Sequence, residues 1–211
     1  MRISELSKRT GVPLSAVKYY QREGLLPAGA RTEPNQVAYG DQHVQRVRLI
    51  RALLETGGLS VAATKDVIAA LDADAAPLAA AFRVAQHAMS TRRAQESMPS
   101  EQARARIEAV AQAQGWCVTT ENPGVEVAAR ALDGLRAIGF DAPDAYLDAY
   151  AVAAATAAAA DLHALAGLSD RDAVAELMVV GTVLGDPLFA GLRRLAQEDA
   201  THNLFPAPDP R

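Results

Sequence analysis

Apolar residues in the first part of the chain recur at the three- and four-residue spacing of short amphipathic helices. This spacing predicts one helix from Ile3 to a stop at Gly11 and a second from about Leu14 to Glu23, with Gly24 just past its end. The turn between the two helices is short and contains a glycine. Two short helices joined in this way are typical of a helix-turn-helix.

The pattern changes after the second helix to one of turns and alternation. Ala28 to Tyr39 is rich in Gly, Pro and Asn, and Val37 alternates with Tyr39. This predicts a small two-stranded wing around the turn Glu33-Pro34-Asn35.

Helical periodicity then returns. Asp41 is placed to cap a helix whose apolar residues continue to Leu54, and Gly57-Gly58 ends it. Ser60 is placed to cap a further helix that runs through Leu71. The predicted order is therefore helix, turn, helix, wing, helix, helix.

The next segment carries an apolar stripe of fewer than two heptads. Pro77 can start this helix, and Leu78, Phe82, Ala85 and Met89 follow at spacings of four, three and four. Such a stripe packs either on its own domain or on a partner helix. Ser97 to Pro99 interrupts it.

The rest of the chain is predicted to form five helices with a frayed tail. Their expected limits are Ser100 to Gly115, Asn122 to Gly139, Asp141 to Gly167, Ser169 through Val180, and Asp186-Pro187 through Leu195. Ser169 with Asp172, like Asp141 with Asp144, has the spacing of a capping box.

Composition supports an all-α fold with one small wing, since about one residue in five is the strong helix former alanine. We predict four parts. Residues 1–71 form a winged helix-turn-helix domain (the head), and 72–98 a linker or dimerisation helix. Residues 99–205 form a helical effector-sensing or dimerisation domain (the body), and 206–211 a flexible tail.

Charge is divided unevenly between these parts. The net charge is −4, but residues 1–71 hold 10 basic and 6 acidic side chains, a balance of +4. Residues 72–211 hold 11 basic and 19 acidic side chains, a balance of −8. The basic head is where binding to a polyanion is expected.

The single cysteine and the lack of an apolar targeting segment predict a soluble, cytoplasmic protein. Cys117 is the only cysteine, which excludes a disulfide within the chain and is expected to be an inert buried thiol rather than part of a metal sensor. The N-terminus lacks the apolar core of a signal peptide. The longest uncharged Ala-rich run, between Asp148 and Asp161, is too short for a membrane helix.

The head resembles the DNA-binding domain of the MerR family of transcriptional regulators. The resemblance is carried by ISELSKRTGV (3–12), VKYYQREGLLP (17–27), the wing Tyr39, and VRLIRALLETGGLS (47–60). Two positions depart from the family pattern. Lys18 stands where the family usually has arginine before the tyrosine pair, and Val37 stands where the wing often carries arginine.

Residues that would contact DNA fall on the second helix and the wing. We expect Ser15, Lys18, Tyr19 and Arg22 to face the major groove and its flanking phosphates. Arg31 and Tyr39 would place the wing on phosphates, and Arg46 or Arg48 could add contacts. Tyr20 is expected in the core, Tyr39 could instead pack on the head, and Arg48 could be an ordinary solvated charge.

The resemblance also implies how such a protein works. Family members pair through the helix after the head in an antiparallel coiled coil, bind a palindromic promoter, and distort it so that RNA polymerase can engage. Because the stripe here is short, we expect part of the dimer surface to come from elsewhere, such as the 101–115 helix with Ile107 and Val110. A small-molecule effector would control the process.

The body offers no catalytic constellation, phosphate loop or zinc-binding spacing, so we predict no enzyme, cofactor or metal site. An apolar effector is the remaining ligand, and the side chains available to line its cavity are Trp116, Phe140, Tyr146, Tyr150, His163 and Met178. These residues could equally be ordinary core and dimer contacts. A helical protein-binding module tethered to DNA is the alternative function.

Overall fold

The computed structural model describes residues 1–33, 36–73, 78–90, 98–119 and 122–204. It has the expected all-α architecture with one two-stranded wing. Helix α1 spans Ile3–Thr10 and α2 spans Leu14–Arg22. The turn between them passes through Gly11 at φ 68°, a left-handed conformation that glycine adopts without strain. The predicted helix-turn-helix is confirmed.

The wing consists of β1 (Ala30–Glu33) and β2 (Gln36–Ala38), paired antiparallel. Ala30 lies opposite Ala38, and Arg31 opposite Val37. Residues 34 and 35 of the predicted turn Glu33-Pro34-Asn35 and the side chain of Arg31 lie outside the described parts of the chain.

Helix α3 (Asp41–Arg51) continues directly into one π-helical turn, Ala52–Thr56. The Gly57 N–H donates to the Ala52 carbonyl at 2.8 Å, which closes this wider turn. Helix α4 (Val61–Asp72) follows, and its Ser60 cap is confirmed because the Ser60 hydroxyl accepts from the Ala63 N–H at 3.1 Å.

The remaining helices are α5 (Leu78–Ser90), α6 (Glu101–Ala113), α7 (Pro123–Ala137), α8 (Asp144–Leu165) and α9 (Arg171–Leu204). The predicted starts of α6 and α7 are confirmed, because the Ser100 hydroxyl accepts from the Ala103 N–H and the Asn122 side chain accepts from the Gly124 N–H. The side chains of Leu78 and Phe82, which belong to the predicted stripe, are outside the described part of α5, as are residues 91–97.

Three expectations for the body are wrong. Pro143, not Asp141, precedes the first residue of α8. Asp170 rather than Ser169 accepts from the first turn of α9, at 3.0 Å from the Ala173 N–H. The break expected at Asp186-Pro187 is absent, and α9 is one helix of 34 residues with Pro187 inside it.

Packing explains why proline does not end α9. Pro187 removes one backbone donor, the N–H that would reach the Val183 carbonyl. The same stretch is held along one side, because Val179 and Val183 are fully buried. Burial of that side against other helices offsets the single lost hydrogen bond.

The main core joins the head to α5 and α9. Buried residues of the head form one cluster with Ala85 and Ala88 of α5 and with Val179 and Val183 of α9. A smaller cluster links α6, α7 and the segment before α8, through Ala103, Ala129, Leu132 and Ala142. The boundaries predicted between the head, the linker and the body, at residues 71 and 99, stay predictions. Helix α9, the last helix, packs on the head.

One helix among the described residues, α9, is long and apolar enough to cross a membrane by length and composition. The sequence analysis did not identify this long helix because it predicted a new helix start at Asp186-Pro187. Val179 and Val183 of this helix belong to the main core, whereas only 11% of its apolar window is buried.

Candidate nucleic-acid interface

The outer face of α2 carries the polar side chains predicted to meet DNA. Ser15, Lys18 and Arg22 are exposed, and Tyr19 is half-buried beside them. The Arg22 guanidinium lies over the Tyr19 ring, 5.2 Å from its centroid, which holds that side chain along the helix surface. Tyr20, on the opposite face, is 5% exposed and belongs to the core as expected.

The inner face of α2 packs on the head, and its end is fixed by an ion pair. Val17 and Tyr20 are its buried residues. At the C-terminal end, the Lys65 ammonium of α4 donates to the Glu23 carboxylate at 3.0 Å. This hydrogen bond, with the charge of Lys65, lowers the pKa of the Glu23 carboxyl. Helix α2 is therefore held both by the packing of its inner face and by the ion pair at its C-terminal end, while its outer face stays exposed.

Tyr39 is part of the head packing. It is 7% exposed, its backbone exchanges two 2.8 Å hydrogen bonds with Met1, and its hydroxyl accepts from the Gln21 amide at 3.0 Å. Its ring meets His43 edge-on at 5.2 Å. These contacts favour the packing role over a phosphate contact. The sequence analysis did not single out Gln21, because the spacing of residues in α2 does not indicate a hydrogen bond to Tyr39, 18 residues later.

Arg46 and Arg48, two neighbours on α3, have different surroundings. Arg46 forms an ion pair with Asp72 at the end of α4, and only 19% of its side chain is exposed. Arg48 is exposed and makes no ion pair with the residues that the structure describes. Arg48 is therefore the one of the two that can reach a phosphate without losing an existing contact.

The arrangement suits contact with a nucleic acid duplex. Lys18 and Arg22 are four residues apart on one exposed helix face, and the wing follows α2 in the chain. Cationic donors on an exposed helix bind phosphates, while a hydroxyl such as that of Ser15 can bond either a phosphate or a base edge.

The six side chains predicted for an effector cavity are not brought together. Phe140, Tyr146 and Tyr150 form one aromatic cluster, with ring centroids 5.5 Å and 4.8 Å apart. Arg193 covers that cluster by donating to the Tyr150 hydroxyl at 2.5 Å. The hydrogen bond from the Tyr146 hydroxyl to Tyr150 raises the pKa of Tyr146.

The other three residues lie apart from this cluster. Trp116 lines a cavity of about 520 Å³ beside α6 and α7, and Met178 lines one of about 170 Å³ between α8 and α9. His163 is exposed on α8. A larger cavity of about 740 Å³ lies between the head, α5, α7 and α9, and none of the six predicted residues lines it.

Cys117 is exposed, so the expectation of a buried thiol is wrong. It lies in the segment that follows α6, which leaves the side chain in solvent. The described residues contain no group of three or more His, Cys, Asp or Glu side chains placed to hold a metal ion.

Comparison with known proteins identifies the head. Residues 1–71 match the family model described as MerR HTH family regulatory protein. Nodulation protein NolA of Bradyrhizobium elkanii is 45% identical over 56 residues, 26% of each chain. Heavy metal-dependent transcription regulator 2 of Rhizobium meliloti (strain 1021) is 36% identical over 69 residues, 33% of this chain and 46% of that protein.

The second of these relatives is a transcription regulator by its name, and the match covers between about a quarter and a half of the lengths of both relatives. A solved structure matches much more of the chain. It is that of SCO5550 from Streptomyces coelicolor A3(2), a candidate transcriptional regulator, with 28% identity and a TM-score of 0.74 over 99% of each chain. The likeness therefore includes the body as well as the head.

Proposed function

We propose that this chain, whose residues 1–71 form a DNA-binding domain of the MerR family, is a sequence-specific transcriptional regulator that binds promoter DNA as a homodimer. The observation that carries the proposal is the outer face of α2. Ser15, Lys18 and Arg22 are exposed on it, while the opposite face packs in the core. In this proposal α2 enters the major groove.

The remaining DNA contacts follow from the position of each group in the head. Arg31, in β1 of the wing, and Arg48, which is exposed on α3, would bind phosphates of the same duplex. Tyr19 would serve mainly by holding Arg22 in place. Arg46 and Tyr39 would stabilise the head, since each already has a partner inside it.

A dimer is proposed because one such head covers only half of a palindromic site. The described part of α5 packs within its own chain, where Ala85 and Ala88 share a core with α9. Another surface is therefore needed, and α8 and α9 offer one. Only Ala151 is buried among the 22 residues of α8, although the helix is rich in alanine. A helix this apolar is normally covered by a neighbour.

On α9, three leucines form an exposed stripe. Leu188, Leu192 and Leu195 are 65%, 57% and 65% exposed, and their spacing of four and three places them on one helix face. That face is turned away from Val179 and Val183, which pack on the head. The stripe is thus free to pack against α8 and α9 of a second copy while the heads stay accessible to DNA.

Regulation is proposed to follow the family mode. The dimer would distort the promoter so that RNA polymerase engages it, and a small-molecule effector would favour one of two conformations. An effector can do this only if it binds one conformation more tightly than the other. A cavity bordered by both head and body would let one ligand meet both parts.

The test is a gel-shift titration of the full chain on the DNA upstream of its own gene, repeated at several salt concentrations. A specific complex is expected, and its affinity should fall as salt rises. Lys18→Ala should weaken it and reduce the slope of log K against log salt by about one. Arg194→Ala, which removes an exposed cation of α9, is the matched control and should leave the slope unchanged.

A shift with no preference for sequence, or equal effects of Lys18→Ala and Arg194→Ala, would contradict the proposal. Sedimentation of the same samples would report whether the species that binds is a dimer.

A further inference from the structure

Three charged side chains meet where the C-terminal end of α2 reaches α4. Lys65 of α4 donates to the Oε2 atom of Glu23 at 3.0 Å, and the Oε1 atom of the same carboxylate lies 3.7 Å from the Nε atom of Arg22. The Arg22 guanidinium is also the group that lies over the Tyr19 ring. Two cations therefore share one carboxylate, and one of the two belongs to the proposed DNA-contacting face.

The two cations hold the carboxylate unequally. Lys65 forms a hydrogen bond with it, whereas 3.7 Å is too long for a hydrogen bond from Arg22. The hydrogen bond from Lys65 is accordingly the largest cause of the lowered pKa of the Glu23 carboxyl, and the charge of Arg22 contributes less. The Arg22 side chain is 73% exposed, which leaves most of its guanidinium open to a phosphate.

The helix that carries Lys65 is fixed in the main core. Val67 and Ile68 of α4 are buried there, while the Lys65 side chain is 43% exposed. Exposed ion pairs contribute little to folding. The contact between Lys65 and Glu23 is therefore better explained by what it does to the charge beside Arg22 than by stability.

We propose that Lys65 is a positioning residue for DNA binding, which occupies Glu23 so that Arg22 stays free to bind a phosphate. The proposal rests on the function proposed above and adds a residue that acts through α2 without touching DNA. Without the Lys65 ammonium, Arg22 is the remaining cation within 4 Å of Glu23 among the described residues, and the two can close to a hydrogen bond. Arg22 then neutralises Glu23 instead of a phosphate.

The test measures the salt dependence of promoter binding for the original full chain, Lys65→Met, Glu23→Gln and the double variant. Lys65→Met should weaken binding about fivefold at about 150 mM salt and lower the slope of log K against log salt by about one, because one phosphate contact is lost. Glu23→Gln should keep the original slope. The double variant should regain that slope, since no carboxylate is left to compete for Arg22.

The matched control is Lys8→Met, which removes another exposed lysine of the head, on α1. Any loss of slope that Lys8→Met causes should remain when Glu23→Gln is added. Thermal unfolding of all the variants should stay close to that of the original chain, because the ion pair between Lys65 and Glu23 is exposed.

A measurement without DNA tests the same contact. Exchange of the Arg22 Nε–H proton with water, followed by NMR, should be slower in Lys65→Met than in the original chain. Addition of Glu23→Gln should abolish that slowing, because the slowing depends on the carboxylate.

The proposal is overturned if Lys65→Met leaves either the slope or the Arg22 exchange unchanged. It is also overturned if the double variant keeps the reduced slope, which would make Lys65 itself a phosphate ligand. A chain whose Arg22 exchange responds as expected but which binds no promoter would refute the proposed function and leave the control of Arg22 by Lys65 standing. A chain that binds promoter with the same slope in Lys65→Met would do the reverse.

Discussion

Gly57 and Val183 are packed so closely that a Cβ atom on Gly57 would overlap the Cγ1 methyl of Val183. The same Cβ would also lie 2.9 Å from the Leu53 carbonyl oxygen, which is backbone and cannot easily move. Gly57 ends the π-helical turn of the head, whereas Val183 lies in the last helix of the chain. The absence of a side chain at Gly57 is what allows α9 to reach the head.

Gly57→Ala is therefore expected to destabilise the protein and loosen α9. Overpacking of a close contact typically costs about 1–3 kcal/mol of unfolding free energy. Urea denaturation measures the loss, and faster hydrogen exchange in the middle of α9 locates it. Gly191→Ala makes the same change in α9 at a position with open space around it, and should instead stabilise by about 0.5–1 kcal/mol. Equal effects at both positions would show that the Val183 contact is unimportant.

The second prediction separates the two arginines of α3. Arg48→Ala should leave unfolding unchanged and lower the salt slope of DNA binding by about one, because Arg48 is exposed and available for a phosphate. Arg46→Ala should leave the slope unchanged and lower stability, because it removes the partner of Asp72. Gel shifts at several salt concentrations and urea titrations of both variants provide the comparison. If Arg46→Ala instead lowered the salt slope and Arg48→Ala lowered stability, Arg46 would be the residue that leaves its ion pair with Asp72 to bind DNA.

The third prediction concerns the leucine stripe of α9. Leu192→Glu and Leu195→Glu place charges in the proposed contact between two copies, so the variants should sediment as monomers and bind a palindromic site more weakly. Stability of the folded chain should change little, since both leucines are more than half exposed. Leu204→Glu, at the end of α9 and 73% exposed, is the control and should still dimerise. Dimers that persist in the first two variants would move the interface elsewhere.

The fourth prediction is a pH dependence at the start of α6. The Asp133 carboxylate accepts the Ser100 backbone N–H at 2.6 Å and the Ser100 hydroxyl at 2.7 Å. These two bonds lower the pKa of Asp133. A carboxyl whose pKa is lower in the folded state stabilises the fold above its unfolded pKa, and that contribution is lost as pH falls through the folded pKa.

Asp133→Asn should accordingly be less stable than the original chain at pH 7, with the difference shrinking as the pH is lowered below about 4. Urea unfolding at a series of pH values measures this. Asp148→Asn removes an exposed carboxylate of α8 that has no hydrogen bond to the described residues, and should differ little from the original chain at any pH. A difference for Asp133→Asn that is constant with pH would exclude the carboxylate as its source.

Local sequence was sufficient to determine the head. Gly11 and Gly24 end α1 and α2 with positive φ, Ser60 caps α4, and the short strands Ala30–Glu33 and Gln36–Ala38 pair to form the wing. Each of these features depends on residues within a few positions of one another, so spacing alone identifies them. The resemblance to the MerR family lies in the same local motifs, and residues 1–71 match that family.

Tertiary packing decided the rest. Asp186-Pro187 has the local signature of a helix start, but burial of Val179 and Val183 on the head carries α9 through it. Residue type and spacing do not distinguish Arg46 from Arg48. They differ because Arg46 forms an ion pair with Asp72, 26 residues away in the sequence. The large cavity is bordered by four segments that are distant in sequence. Contacts between distant segments leave no periodic pattern in the chain, so the sequence determined the DNA-binding head and only the packed structure determined how the body attaches to it.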